Sequence, residues 1–323
     1  MRAARSFQKL GSLAVPVTLA VVLLAIAVVR APNLFTPSGI GNGILVAAPL
    51  FFATMALTPI VMSGRGAVDL SIGPLIGFLN VTLITWLSAR GLTNPVLFIG
   101  WALLAGALWQ VMLAAIVIYV RIAPIIVSLS GYLVLSGVNL MIMSRPGGVA
   151  PDWLMNWGAA SAAQIVSPIL VLVLVASAFW ATITRTGFHR QLRMVGSDER
   201  MAYTSGINVD LVRLIAFAIG GMFAGLAALS YTALIASGDP TQGSTYTLQA
   251  VTALVLGGAS LSGGRGGVVG AALGALNMFL INYLLGTFNF GSLSGYVTQL
   301  AFGAILACSL LVNLFTSPFA KRA

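Results

Sequence analysis

At 323 residues with 59% hydrophobic and only 7% charged side chains, the chain is not a water-soluble globular protein, in which about a quarter of residues carry charge. It is an integral membrane protein whose charges punctuate apolar spans. The formal net charge of +10 raises nucleic-acid binding, but the basic residues sit in short loops, where they set topology rather than form a nucleic-acid patch.

Arg2, Arg5 and Lys9 precede an apolar run from Leu10 to Val29. The run is too long for a cleaved signal and is followed by further spans, so it is expected to be retained as a first transmembrane helix. Arg30 to Pro37 forms an outer loop stiffened by prolines. The expected second span covers about Asn42 to Met62, and a Ser63-Gly64-Arg65-Gly66 turn follows. The third runs from near Asp69 to before Arg90, the fourth from about Pro95 to Tyr119, and the fifth from about Ala123 to Met143. The loop from Ser144 to Ala163 carries Trp153 and Trp157 and suits the membrane interface, with a short helix lying on the surface.

A sixth span (about Gln164 to Ile183) leads into the most polar stretch of the chain, Thr184 to Val212. That stretch holds Asp198, Glu199 and Asp210, half of the six acidic residues, and His189, the sole histidine. Between two long apolar runs it must lie in water beside the membrane. Its length and mixed charge suit a short amphipathic helix that presents a surface to another protein. Beyond it, a seventh span (about Arg213 to Ile235), a short glycine-interrupted eighth (about Tyr246 to Ala259), a ninth (about Val268 to Gly286) and a tenth (about Ser294 to Leu314) are expected. The expected fold is therefore an all-α, polytopic bundle of about ten transmembrane helices, a single domain over residues 1–323 with both termini cytoplasmic. In that topology all of the 16 basic residues except Arg30, Arg90 and Arg145 face the cytoplasm.

Two segments share the pattern GxxxGxLN after an SGRG-like turn: Gly73 to Asn80 and Gly270 to Asn277. Either an internal repeat lines a pathway, or the glycines serve small-residue helix packing.

The chemistry that is missing is informative. Lys9 and Lys321 are the only lysines, and neither belongs to a phosphate-gripping P-loop. One histidine, the single Cys308 and dispersed carboxylates give no metal cluster and no nucleophilic triad. Cys308 is expected to be a small packing residue. No cofactor and no catalytic residue is expected, and the chain is not expected to be an enzyme. Asp69 is the acidic residue nearest to membrane depth; Arg65, four residues earlier, is its expected partner, or it caps the third span. Uncharged polar side chains remain inside the spans: Asn80, Gln110, Asn139, Gln249, Asn277, Asn282 and Gln299. They serve as interhelical hydrogen-bond glue or line a passage for a neutral hydroxylated solute.

Four collinear stretches carry a family resemblance. Gly66-Ala-Val-Asp69-Leu-Ser71-Ile-Gly73, Arg121-Ile-Ala-Pro-Ile-Ile-Val-Ser, Glu199 to Val209 and Leu256 to Gly266 resemble motifs of the permease subunits of bacterial ribose-, xylose- and galactose-type ABC sugar importers. The resemblance implies a multi-pass inner-membrane permease that pairs with a second permease subunit, identical or related. It further implies two cytoplasmic ATPase subunits below and a periplasmic solute-binding protein above. Within it, Arg193, Gly196, Asp198, Glu199, Ala202 and Gly206 belong to the loop that couples to the ATPase. Asp69, Ser71, Asn80, Asn139, Gln249, Asn277 and Asn282 are candidates for the translocation pathway. The chain departs from the family where Arg200-Met201 replaces a double alanine and where Tyr246-Thr-Leu-Gln249-Ala lacks the usual acidic residues. The implied function is translocation of a sugar or sugar-like solute, driven by ATP hydrolysed in separate subunits. The alternatives are a permease for amino acids or nucleosides and a self-sufficient carrier or channel.

Overall fold

The computed structural model describes residues 2–288 and 294–316, and these are helical with no strand among them. The chain runs through α1 (Arg2–Arg30), α2 (Pro37–Met62), α3 (Ile72–Thr82), α4 (Pro95–Ala115), α5 (Pro124–Ile142), α6 (Asp152–Ala163) and α7 (Pro168–Arg185). It continues through α8 (Gly187–Ser197), α9 (Glu199–Thr204), α10 (Val209–Ile235), α11 (Thr245–Leu256), α12 (Val268–Gly286) and α13 (Ser294–Thr316). Short π-helical turns extend α3 over Leu83–Leu87 and α4 over Ile116–Val120. Lys321 and Arg322, expected at the cytoplasmic end of the chain, lie outside the described residues.

Among the described residues, 8 helices are long and apolar enough to cross a membrane. The expected eighth and tenth spans are not among them. α11 has 12 residues, about 18 Å of helix, against a hydrocarbon core of about 30 Å. Cys308 on α13 is exposed rather than packed.

α2 is the axis of the bundle. Thr36 caps it by accepting the Gly39 amide at 3.0 Å, and Pro37 supplies the first-turn residue that needs no donor. From Ala48 to Met62 every residue is buried, the pattern of a helix surrounded by protein on all sides. α10 packs across both α2 and α4 by small residues. A Cβ on Gly220 would meet the Ala56 carbonyl oxygen at 2.7 Å, and one on Gly221 would press on the backbone of Gly106 and Ala107. In lipid, where burying apolar surface between helices gains little, such close backbone approach is what holds a bundle together.

The loops gather at two ends. At one, which carries the charged stretch, the Gly264 amide donates to the Met62 carbonyl at 3.1 Å. At the other, Gly147 and Gly238 form an antiparallel bridge at 3.0 and 2.9 Å, and Trp153 on α6 donates its indole N–H to the Thr93 carbonyl at 2.8 Å. α6 is the short helix expected in the tryptophan loop, and Trp153 stacks edge-on against Phe98 and Trp157.

Two helices start inside the bundle rather than at its ends. The segment before α3 is buried at Asp69 and Ser71, and Thr247 on α11 joins the two interrupted helices. Its hydroxyl accepts the Gly73 amide at 3.2 Å and donates to the Leu70 carbonyl at 3.2 Å. Backbone without helical partners is tolerated at this depth only when protein satisfies it, and Thr247 does so.

Candidate functional site

The charged stretch folds as an elbow. α8 buries Leu192 and Val195 and leaves Arg190, Arg193 and Met194 exposed. Asp198 is the extended residue that separates α8 from α9, and it caps α9 by accepting the Met201 amide at 3.0 Å. α9 stops at Thr204, and two residues on Gly206 takes a φ of +79°, the left-handed conformation. The Ile207 amide reaches back to the Ala202 carbonyl at 3.1 Å and the Gly206 amide to Tyr203 at 3.0 Å, the hydrogen-bond pattern of a Schellman stop. Ala202 is fully buried, whereas Met201 and Tyr203 are 61% and 74% exposed. The elbow thus offers solvent two apolar side chains next to the exposed Arg200, an amphipathic surface of the kind that docks a protein.

Beneath the elbow three glycine-bearing turns meet, backbone on backbone. Gly196 at the end of α8 sits on Gly64 and Gly264, and a Cβ placed on it would collide with the Met62 carbonyl and the Gly264 amide. A Cβ on Gly64 would lie 2.9 Å from the Gly196 Cα, and one on Gly263 2.6 Å from the Gly196 carbonyl oxygen. The Arg193 Nε–H donates to the Gly264 carbonyl at 3.3 Å. Gly64 belongs to the turn that leads into α3, and Gly263 and Gly264 to the turn that leads into α12. The elbow therefore bears on the entrances of both helices that carry the GxxxGxLN pattern.

An ion triad locks this arrangement. Glu199, the first residue of α9, accepts from Arg65 at 2.7 and 2.5 Å and from Arg213 at 3.1 and 2.8 Å. Both guanidinium groups engage both carboxylate oxygens, the strong bidentate form. The hydrogen bonds from Arg213, then those from Arg65, outweigh partial burial and lower the Glu199 carboxyl from 4.5 to about 2. Arg213, on the first turns of α10, is only 4% exposed at its side chain; a cation so placed needs its partner. Arg65 takes φ of +57° to reach Glu199, a conformation that costs a non-glycine residue about 1–2 kcal/mol.

The pairing expected between Asp69 and Arg65 does not occur. Asp69 is 2% exposed and faces inward, accepting from the Ser71 amide at 2.8 Å, the Ser71 hydroxyl at 2.7 Å and the Gln110 side-chain amide. Left-handed Gly64, Arg65 and Gly66 turn the chain between the two residues, so the four-residue helical spacing assumed for the pair never forms. The Trp109 indole N–H donates to the Ser71 hydroxyl at 3.3 Å, so α4 clamps this knot from the side.

The other polar candidates separate into two groups. Asn80 is fully used: its amide donates to Thr232 at 2.9 Å and the Ser237 carbonyl at 3.0 Å, and its oxygen accepts the Asp239 amide at 2.8 Å. Asn139 donates to the Pro74 carbonyl at 2.9 Å and Asn277 to the Pro16 carbonyl at 2.9 Å, each fully buried. These three tie helices together. Gln249 and Asn282 instead share an open cavity of about 190 Å³ between α2, α11 and α12, with Tyr246, Thr245 and Phe279 beside them. The GxxxGxLN glycines pack closely, Gly73 and Gly77 on Gly243, and Gly270 and Gly274 on Gly257 and Ala253.

Single residues in the sequence disclose neither the Glu199 latch to Arg65 and Arg213 nor the glycine junction. Arg213 looked like a topology-setting charge at a span end, and Gln110 like one of several polar residues in spans. The two similar SG(G)RG turns were the available signal, but they do not disclose that they meet.

Comparison with known proteins gives a consistent answer. The ribose import permease protein RbsC of Escherichia coli (strain K12) is 27% identical over 297 residues, covering 90% of each chain. Its namesake in Bacillus subtilis is 28% identical over 299 residues, covering 90% of this chain and 89% of the relative. The autoinducer 2 import system permease protein LsrD of Escherichia coli (strain HS) is 26% identical over 259 residues, covering 78% and 76%. No solved structure matches. The family model for the permease component of branched-chain amino acid transport systems matches residues 39–313, and the chain belongs to that family of multi-pass transport permeases.

Proposed function

We propose that this protein is the membrane-spanning subunit of an importer in which a separate ATPase supplies the energy and the α8–α9 elbow receives it. It is a permease of the ABC sugar-importer type and a multi-pass protein of the inner membrane; its relatives are ribose and autoinducer 2 import permeases by name. The carrying observation is the junction of Gly64, Gly196 and Gly264 under the elbow. Backbone contact leaves no compressible side chain between the elbow and the turns entering α3 and α12, so a push on the elbow is passed on rather than absorbed.

In this reading the end of the bundle holding the elbow faces the cytoplasm, with both termini on that side and about ten crossings in one domain. Arg193, Gly196, Asp198, Glu199, Ala202 and Gly206 shape the elbow, while Arg200, Met201 and Tyr203 meet the ATPase. Two ATPase copies, a second permease and a periplasmic solute-binding protein complete the assembly. The cargo is a sugar or sugar-like solute. The family's association with branched-chain amino acid transport systems supports amino acids as a second reading, which uptake assays with labelled ribose and labelled leucine separate.

The test is co-purification. Extracted from native-level membranes in detergent, the tagged chain is expected to bring down a P-loop ATPase. Gly206→Pro, which cannot take the left-handed φ, is expected to lose it while the bundle still elutes as a monodisperse peak. Recovery of the chain alone, with uptake intact in cells lacking the ATPase, overturns the proposal in favour of a self-sufficient carrier.

A further inference from the structure

The cavity between α2, α11 and α12 has a composition that helix packing alone does not require. We propose that it is a station for a neutral polyhydroxylated solute, held by the amides of Gln249 and Asn282 and by the rings of Tyr246 and Phe279. This rests on the transport reading above and adds where in the chain the solute is held.

The cavity lies far from the elbow. On α2 it is lined by Val46, Ala47 and Leu50, near the middle of the helix and about 18 Å along it from the junction at Met62. On α12 it is lined by Phe279 and Asn282, more than three turns beyond the turn of Gly263 and Gly264. On the third side Thr245, Tyr246 and Gln249 come from the first turns of α11, the helix that begins inside the bundle. One wall is thus an interrupted helix, and the other two adjoin the glycine junction, α2 at its Met62 end and α12 through the turn of Gly263 and Gly264 that precedes it.

The polar groups of this cavity differ from the other amides of the spans. Asn80, Asn139 and Asn277 are each fully buried and hydrogen-bonded to another element. Gln249 is half-buried and Asn282 exposed. An amide at membrane depth that faces lipid forfeits its hydrogen bonds at a cost of several kcal/mol. Two converging on one cavity are accounted for if water or a solute fills it. The chemistry selects the class. Two amides offer donors and acceptors to hydroxyl groups, the Tyr246 hydroxyl adds another, and ring faces suit the C–H surface of a polyol. No charged side chain lines the cavity, so a carboxylate or an ammonium entering it would be desolvated without a counter-charge.

The position also gives the station a means of changing. α12 carries Phe279 and Asn282 and starts at the turn that contacts Gly196, so displacement of the elbow moves these two side chains relative to Gln249 on α11. A solute gripped from both helices is released when they separate.

Thiol labelling tests this without requiring ATP hydrolysis. In a Cys308→Ser background, Gln249→Cys and Asn282→Cys are compared in membrane vesicles with Leu104→Cys, a control on an exposed apolar face of α4 (67% exposed). The small neutral reagent hydroxyethyl methanethiosulfonate is expected to label the two cavity variants at least 10-fold faster than the control. Neutral polyols (ribose, arabinose, xylitol) in excess are expected to slow that labelling, whereas leucine and gluconate do not. Each variant is first checked for monodisperse elution, and Asn282→Ser with Gln249→Ser provides uptake-defective, thiol-free partners if a cysteine is not tolerated. Labelling as slow as the control, protection by the charged compounds alone, or no protection by any compound each overturns the station. A permease that binds no ATPase but shows fast, polyol-protected labelling would refute the coupling reading and leave the station intact.

Discussion

The glycine junction and the α2–α11–α12 cavity sit on the same helices, yet they are built by opposite rules. At the junction backbone touches backbone and the named charges are paired: Gly196 on Gly64 and Gly264, Arg193 on the Gly264 carbonyl, Glu199 between Arg65 and Arg213. In the cavity the amides of Gln249 and Asn282 face open space. A region that is closed and satisfied transmits displacement; one that is open and unsatisfied receives a ligand. The contrast predicts that substitutions at the first cost stability and coupling together, whereas substitutions at the second cost transport alone.

The largest expected effect is at Gly196. Gly196→Leu drives a side chain into the Met62 carbonyl and the Gly264 amide, and backbone cannot yield as a flexible side chain does. Overpacking of this kind costs about 1–3 kcal/mol or more, so the thermal unfolding midpoint in detergent should fall clearly and ATPase capture should be lost. An unchanged midpoint would show that the junction is loose.

Next comes Glu199→Ala, which strands the buried Arg213. Removing one partner of a buried pair costs about 3–5 kcal/mol, and the partial exposure of Glu199 reduces the expectation to roughly 2–3 kcal/mol. The same group sets a pH dependence. Its carboxyl is lowered from 4.5 to about 2, so its stabilisation is complete above about pH 4.5 and is lost as pH falls toward 2. The difference in unfolding midpoint between wild type and Glu199→Gln should therefore be constant near neutrality and shrink below pH 4.5. A difference that persists unchanged at pH 3 would assign the latch to something other than the ionised carboxylate.

The smallest stability effect belongs to the cavity. Gln249→Leu and Asn282→Leu remove amides that tie no helices together, so stability should move by no more than about 0.5 kcal/mol while solute uptake falls at least 10-fold. Destabilisation comparable to that of Gly196→Leu would erase the contrast between the two regions.

The sequence made some of this architecture legible. Apolar runs bounded by proline and arginine located the spans, and the ninth was expected where α12 lies, Val268–Gly286. The charge-rich stretch marked the elbow because water-seeking side chains between apolar runs have one place to go. What escaped was whatever depends on backbone meeting backbone. Gly64, Gly196 and Gly263 carry no side-chain signature, and their contact brings together turns far apart in the chain. The Asp69–Arg65 pair failed for the same reason: the left-handed turn from Gly64 to Gly66 points the two side chains apart, and periodicity cannot foresee that. Gln249 and Asn282 were visible as polar residues in spans, but only packing separates them from Asn80, Asn139 and Asn277, which serve as ties.

The most direct test of the central claim is the number of solute molecules taken up per ATP hydrolysed, measured for the purified complex in proteoliposomes with Glu199→Gln against wild type. This substitution frees the elbow from Arg65 and Arg213 without touching Met201 or Tyr203, the exposed pair that meets the ATPase. A fall of at least 10-fold in the ratio, with hydrolysis persisting, is the result the account predicts. An unchanged ratio, with both rates intact, would contradict it, because the latch would then hold the elbow without transmitting anything through it.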